Sequence, residues 1–193
     1  MKNILAELRT SLVITLLLIV LCCGIYPLVV WAIAQGMFSR QADGSLVVAK
    51  GRIVGSSLLA QGFSGPAYLH PRPSAAGQGY DAANSSGTNL GPTSNKLIED
   101  VRQRVAGYRA ENGLPPDAPV PADAVTSSGS GIDPHISVEN ARLQAGRVAK
   151  ARGLSREEVL RRIAAHTEGR DLMILGEPRV NVLMVNLDLD GKM

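Results

Sequence analysis

A long uncharged segment near the N-terminus constrains the fold more than any other feature of the chain. Between Thr10 and Ser39 the sequence contains no Asp, Glu, Lys, Arg or His, and residues 11–34 are almost entirely aliphatic. At about 1.5 Å per residue this stretch forms a helix of roughly 36 Å, whereas the hydrocarbon core of a bilayer is about 30 Å thick. The sequence therefore predicts a transmembrane helix over residues 11–34. Pro27 frees a backbone carbonyl inside it, which predicts a neighbouring helix.

Two alternatives for this segment are a cleaved signal peptide and a lipid attachment site. Residues 32–34 have the small-x-small form of a signal-peptidase site, but the apolar run before them is longer than the roughly 7 to 15 residues of a usual signal core. Cys22 follows the bulky Leu21, which does not suit lipoprotein processing. A retained anchor is the favoured interpretation. Basic residues flank both of its ends and do not decide its orientation, whereas the absence of cysteine after Cys23 favours an exported domain.

The remaining composition predicts one folded domain attached to this anchor. The chain has 193 residues, of which 45% are hydrophobic and 19% are charged, as in globular domains. The net charge of +3 is spread along the chain and aromatic residues make up 4%, so nucleic-acid binding is not expected. We expect residues 1–10 to form a short N-terminus, 11–34 to cross the membrane, and 35–193 to form an α+β domain with a long Gly/Ser-rich surface loop over residues 62–94.

Periodicity and capping residues predict the elements of this domain. β-branched residues on either side of Lys50-Gly51 predict a hairpin over residues 45–54. Alternating apolar residues from Val180 to Leu189 predict a final strand. Helical patterns that follow a capping residue or end at glycine predict three helices, over residues 96–112, over Val138–Arg152 with Ser137 as N-cap, and from Arg156 onward with Ser155 as N-cap.

A Ser-Ser-Gly phrase occurs twice, within NSSGTNLGP over residues 84–92 and within SSGSGIDP over residues 127–134. Serine and glycine often line phosphate sites, but the loop over residues 62–94 carries one arginine and one aspartate, too little charge for a polyphosphate. A nucleophilic serine would need His70 or His135 as a base, and no spacing favours one. We therefore interpret the phrases as two ordered loops, with glycine for tight backbone and serine for local capping.

Metal binding and the common nucleotide-binding signatures are not predicted. The chain has three histidines, and Asp133 lies two residues before one of them, His135. A zinc site needs three or four convergent ligands. The sequence also lacks a P-loop, a dinucleotide fingerprint and a nucleophile elbow. No tightly bound cofactor is expected.

Four stretches taken together are typical of one protein family. They are HPRPSAA from His70, YDAANSSGTNLGPT from Tyr80, VTSSGSGIDPHIS from Val125 and TEGRDLMILGEPRVNVL from Thr167. In content and order the chain resembles the potassium-transporting ATPase C chain, the small subunit of the bacterial Kdp system, essentially from end to end. The tail from Met184 to Met193 carries none of these motifs.

The resemblance implies a non-catalytic accessory subunit of an ATP-driven, high-affinity potassium importer. It implies a single-pass protein of the bacterial inner membrane, with a cytoplasmic N-terminus and a periplasmic domain. The implied partners are a potassium-binding, channel-like subunit, a P-type ATPase subunit and a small membrane subunit. The implied role is to stabilise the assembly and to act as a catalytic chaperone that raises the ATP affinity of the ATPase subunit, with ATP reached only through the complex.

The resemblance also indicates site residues. Gln144, in ARLQ from Ala141, matches a glutamine proposed to contact nucleotide, although a domain on the outer face meets almost no ATP. By residue type alone, a helical glutamine next to Arg142 and Arg147 is a solvated or packing residue. The alternative function is a stand-alone, membrane-anchored envelope domain that binds a ligand or acts as a serine hydrolase. From the two loops we expect partner contacts at Asn84, Ser85, Gly87, Asn89, Ser128, Gly129, Asp133 and His135.

Overall fold

The structure, a computed structural model, describes residues 2–192. The chain forms two units, one that ends at Leu46 and one that begins at Val47. The first unit is mainly helical, and the second combines helices with two small sheets. The fold is therefore of the predicted α+β class with an apolar N-terminal helix.

The N-terminal unit is a nearly continuous helix. It consists of α1 (Lys2–Ile19), a π-helical segment (Val20–Ile25) and α2 (Tyr26–Ala42). The Tyr26 N–H donates to the carbonyl of Leu21, five residues back, so the wider π turn satisfies backbone groups just before the proline at position 27. By length and composition the helix is apolar enough to cross a membrane. An apolar helical surface of this length is stable in lipid or against another apolar protein surface.

The predicted hairpin lies at the junction of the two units and belongs to the second except for its first residue. Strand β1 (Leu46–Ala49) pairs with β2 (Arg52–Ser56). The connecting residues Lys50 and Gly51 have φ angles of +50° and +74°, as a two-residue turn of type I′ requires. The hairpin prediction is confirmed.

The long segment after this hairpin contributes to the core. Between residues 57 and 94 the regular structure is one short 3₁₀ turn, Ala82–Asn84. The side chains of Leu69 and Ala76 are 0% exposed, so the expectation of a loop laid on the surface is wrong in this part. Leu69 packs in the main hydrophobic cluster of the domain.

Four helices follow. Three of them were predicted, whereas the short second one was not, and the predicted caps and glycine stop of the last two are confirmed. Ser137 Oγ accepts a hydrogen bond from the N–H of Asn140, and Ser155 Oγ accepts one from the N–H of Glu158. Gly153, with a φ of +67°, ends the third of these helices in the left-handed conformation that favours glycine. The helices are α3 (Asn95–Asn112), α4 (Ala122–Val125), α5 (Val138–Arg152) and α6 (Arg156–Ala165).

The second sheet has three short antiparallel strands in the order β3-β5-β4. They are β3 (His135–Ser137), β4 (Thr167–Glu168) and β5 (Arg179–Asn181). Ile136 of β3 pairs with Val180 of β5, and both side chains are buried in the main cluster together with residues of α5 and α6. The central strand thus joins the sheet to the helix pair.

The predicted strand over Val180–Leu189 is wrong beyond its second residue. Residues Val182–Leu189 form a helix, α7, with Asn181 as N-cap. The alternating apolar residues led to the prediction of a strand because α7 is buried on nearly all sides. A helix that is apolar all round shows no clear period of 3.6 residues in its sequence. Asn186, placed on the outer face of the predicted strand, is 1% exposed, and its amide bonds both the N–H and the carbonyl of Leu69.

Candidate functional site: paired loops and a cavity beside Gln144

The two Ser-Ser-Gly phrases lie against each other. We call residues 84–92 and 127–134 the paired loops. The N–H of Ser86 donates to the carbonyl of Ser130 at 3.0 Å, and the hydroxyl of Ser85 donates to the same carbonyl at 3.0 Å. The sequence predicted two ordered loops but gave no signal for this contact, because the phrases are about forty residues apart.

Glycine is required where the loops meet. Gly131 has a φ of +69°, and a Cβ there would clash with the carbonyl oxygen of Ser86. A Cβ on Gly87 would lie 3.1 Å from the carbonyl oxygen of Gly129. The backbones therefore approach too closely for any side chain at Gly131, which accounts for that glycine by geometry.

Ser74 ties the long segment to the second loop. Its hydroxyl donates to the carbonyl of Gly131 at 2.6 Å and accepts from the N–H groups of Ala76 and Tyr80. One side chain thus holds three backbone groups from two segments. This bonding explains the serine of the HPRPSAA stretch as a structural residue.

Arg72 contacts both ends of the second loop. Arg72 Nη1 lies 3.3 Å from Asp133 Oδ2, and the guanidinium also donates to the carbonyls of Thr126 and Ser127. Burial would raise the pKa of Asp133, but hydrogen bonds from His135 and the charges of His135 and Arg72 outweigh it, so this pKa lies below its ordinary value. The carboxylate is therefore stabilised in its charged form.

His135 lies between two carboxylates. Its Nδ1 is 3.4 Å from Asp133 Oδ1 and its Nε2 is 3.5 Å from Glu168 Oε2. The Nε2 atom is buried without a hydrogen-bond partner. Within residues 2–192, no group of three or more His, Cys, Asp or Glu side chains is placed to hold a metal ion.

The serines of the paired loops do not pair with a histidine in the described structure. The hydroxyls of Ser85 and Ser86 donate to backbone carbonyls, and the hydroxyl of Ser128 accepts from the N–H of Gly131. Ser127 Oγ is buried without a partner. The arrangement needed for an activated serine nucleophile is thus not formed here.

The loop residues expected to contact partners differ in how far they are accessible. Four of them are half-buried: Gly87, Ser128, Asp133 and His135. The exposed ones are Asn84, Ser85, Asn89 and Gly129.

A cavity of about 360 Å³ lies beside the long segment. Aromatic, charged and amide side chains share its wall. Among its lining residues are Phe63, His70, Tyr80, Arg104, Glu111 and Gln144.

Gln144 is fully engaged within the domain. Its Oε1 accepts from the N–H of His70 at 2.7 Å and from Arg147 Nη2 at 2.8 Å. Its Nε2 donates to the carbonyl of His70 at 3.1 Å and to Asn140 Oδ1 at 2.9 Å. A carboxamide has two donor and two acceptor positions, so all four are occupied, and the residue is 1% exposed.

Neighbouring side chains extend this polar network. The hydroxyl of Tyr108 donates to Asn140 Oδ1 at 2.8 Å, and burial raises the pKa of this phenol well above its ordinary value. Arg147 donates to the carbonyls of Pro66 and Tyr68, and burial lowers the pKa of its guanidinium. His70 Nδ1 lies 3.1 Å from Glu111 Oε1. The network joins α3, α5 and the long segment around the cavity.

Known proteins match the chain across this whole arrangement. A family model described as "K+-transporting ATPase, c chain" matches residues 8–191. The chain belongs to this family. The match includes the apolar helix, the paired loops, the cavity and α7, so the KdpC family likeness extends into the tail that carries no recognised motif.

Similar proteins carry the same description. The KdpC subunit of Koribacter versatilis is 50% identical over 186 residues, which cover 96% of this chain and 94% of that protein. The subunit of Mycobacterium tuberculosis (strain H37Rv) is 52% identical over 95% of this chain and 97% of its own length. The subunit of Myxococcus xanthus is 54% identical over 99% of this chain and 89% of its own length. All three are named potassium-transporting ATPase KdpC subunits.

Sequence reasoning missed most of the polar residues that build the site. Asn140, Arg147 and Asn186 gave no signal, because a buried amide or guanidinium bonded to backbone has the same local pattern as an exposed one. Their partners lie far away in the sequence: Arg147 bonds Tyr68 across 79 residues, and Asn186 bonds Leu69 across 117.

Proposed function

We propose that this chain is a non-catalytic, membrane-anchored accessory subunit of an ATP-driven, high-affinity potassium importer. The observation that carries the proposal is the family match over residues 8–191. The N-terminal helix agrees with a membrane-anchored subunit, because it is long and apolar enough to cross a membrane.

In this proposal the partners are a potassium-binding, channel-like subunit, a P-type ATPase subunit and a small membrane subunit. The apolar helix packs against membrane-embedded partners. The paired loops offer a further contact surface through Asn84, Ser85, Asn89 and Gly129. Their backbones are fixed before binding, so little conformational entropy is lost on association.

We further propose that the protein is a single-pass component of the bacterial inner membrane, with residues 1–10 in the cytoplasm and residues 35–193 in the periplasm. The absence of cysteine after Cys23 suits an oxidising compartment. The orientation is tested with Thr93→Cys in a background where Cys22 and Cys23 are serine. Thr93 is exposed, so an impermeant maleimide should label it in intact cells. Labelling only after lysis contradicts this topology.

The test of the function is co-purification combined with deletion. Full-length chain, extracted in mild detergent, should elute with the other subunits, and its deletion should abolish growth on micromolar potassium. A chain that elutes alone, together with intact high-affinity uptake in the deletion strain, contradicts the proposal and favours a stand-alone envelope domain.

Raising the ATP affinity of the ATPase subunit is the proposed regulatory effect, and we propose that Gln144 contributes to it by positioning. All four of its hydrogen-bonding positions are occupied, so direct contact with nucleotide requires that at least one bond be given up. Gln144 bonds the backbone of His70 in the same way as Asn186 bonds the backbone of Leu69. Removing either pair of bonds should therefore lower the ATP affinity of the complex.

The matched variants Gln144→Ala and Asn186→Ala separate positioning from contact. If Gln144 positions the segment, both variants raise the KM for ATP of the whole complex. If Gln144 touches nucleotide, only Gln144→Ala raises it, and positioning is excluded. The KM values are compared between preparations in which the same fraction of complexes contains the variant chain.

A further inference from the structure

An apolar turn projects from the small sheet. We call residues 172–175 the apolar turn. Leu172, Met173 and Ile174 are the most exposed large hydrophobic residues among those described in the second unit, at 80%, 88% and 74%, and Leu175 is 56% exposed. Contiguous exposed apolar groups of this kind mark interaction sites in folded proteins.

The backbone conformation of the apolar turn does not account for the large apolar residues found there. Asp171 and Leu175 exchange two backbone hydrogen bonds of 2.9 Å, and the N–H of Ile174 also donates to the carbonyl of Asp171. Leu172 and Met173 have φ angles of +52° and +65°. Such a turn favours Asn-Gly, and bulky side chains are rare there. The chain therefore keeps two large apolar side chains where the backbone prefers small polar ones.

Ion pairs hold the base of the apolar turn. Arg179 Nε lies 2.9 Å from Glu168 Oε2, and its Nη1 lies 3.2 Å from Asp171 Oδ2. Arg170 pairs with Glu177 at 2.8 Å. Arg179 belongs to β5, where the next residue is fully buried. The turn is thus a fixed projection with an apolar centre and a polar rim, the usual anatomy of a protein–protein contact.

The charge of the rim favours a protein partner over a lipid surface. Residues 167–179 contain three acidic and two basic residues, a net charge of −1, and no aromatic residue. Both arginines are already paired with carboxylates. Segments that bind anionic lipid carry unpaired basic groups, and aromatic residues favour the membrane interface. A contact between the turns of two copies is also disfavoured, because each rim carries the same net negative charge and like charges across an interface repel.

We propose that the apolar turn is a docking element that enters an apolar pocket with a basic rim on another protein subunit of the transport complex. The proposal rests on the proposed function, since it needs a complex in which this chain is a subunit. Leu172 and Met173 are the anchors, and the net charge of −1 over residues 167–179 favours a basic rim on the partner.

The test replaces the anchors without harming the turn. In the double variant Leu172→Asn with Met173→Gly, the new residues suit the positive φ angles, so the fold should keep or raise its thermal midpoint. Complex purified from cells lacking this chain is immobilised in lipid-free detergent, and full-length chains are titrated onto it. We expect the double variant to bind the complex at least about ten-fold more weakly than the wild type, as is typical when interface anchors are removed. Met173→Asn alone should weaken binding less, in the same direction.

Leu58→Asn is the matched control, because Leu58 is also an exposed leucine, at 58%, and lies in another turn. It should bind as the wild type does. If the double variant binds as tightly as the wild type, the inference is wrong. It is equally wrong if binding weakens only in nanodiscs of anionic lipid, which indicates a lipid contact, or if the variant loses only self-association in sedimentation. If the wild-type chain itself does not bind the complex, it is the proposed function that fails.

Discussion

Replacing Gln144 by alanine tests whether the polar network holds the long segment in place. The change removes four hydrogen bonds, two of them to the backbone of His70. Each buried polar group left without a partner costs about 1–3 kcal/mol, so the two groups of His70 alone correspond to about 2–6 kcal/mol. The neighbouring cavity of about 360 Å³ is large enough for water to replace part of this bonding. We therefore expect the free energy of unfolding to fall by about 2–3 kcal/mol.

The assay is urea unfolding of the full-length chain in detergent, followed by the near-UV circular dichroism of the tyrosines. Hydrogen exchange of the peptide that contains His70 reports the local effect, and its protection should fall together with the global stability. Lys150→Ala is the control, because Lys150 is exposed on the same helix, and a surface change of this kind stays within about 0.5 kcal/mol. An unchanged unfolding midpoint for Gln144→Ala, with His70 still protected, refutes the positioning role.

Three further changes test other parts of the structure. Gly131→Ala should cost about 2–4 kcal/mol, because the new Cβ meets the Ser86 carbonyl at positive φ, whereas Gly129→Ala, with no atom within 4 Å of its Cβ, should stay close to wild type in the same unfolding assay. Ser155→Ala removes an N-cap and should cost about 1 kcal/mol, measured by thermal unfolding. The pKa of Asp133 is lowered in the folded state, so its contribution is complete above its unfolded pKa and is lost as pH falls through the folded one; Asp133→Asn should therefore flatten the acid limb of stability against pH.

Local signals predicted the elements that depend on local chemistry. The caps Ser137 and Ser155 and the stop at Gly153 fixed the boundaries of α5 and α6, since a cap bonds N–H groups within three residues. The turn at Lys50-Gly51 fixed the hairpin for the same reason. Each of these features is complete within a few residues, so the sequence alone contains the whole interaction.

The parts that the sequence did not predict depend on distant partners. Helix α7 was predicted as a strand because its burial on nearly all sides follows from the packing of the whole domain. The pairing of Ser86 with Ser130, and the clash that keeps Gly131 a glycine, likewise need both loops in place. No local pattern distinguishes these cases from an ordinary turn or strand.

Two amides explain how a segment without regular structure belongs to the core. Asn186 of α7 bonds the N–H and the carbonyl of Leu69, and Gln144 of α5 bonds the N–H and the carbonyl of His70. A carboxamide offers one donor and one acceptor side by side, as a neighbouring strand would, so each side chain replaces a strand partner for one residue. The backbone is thereby satisfied while the side chain of Leu69 packs at 0% exposure. Asn186 lies in the tail without recognised motifs, yet it makes the same paired bonds as Gln144. Positioning of the segment is therefore enough to explain why both positions carry a buried amide.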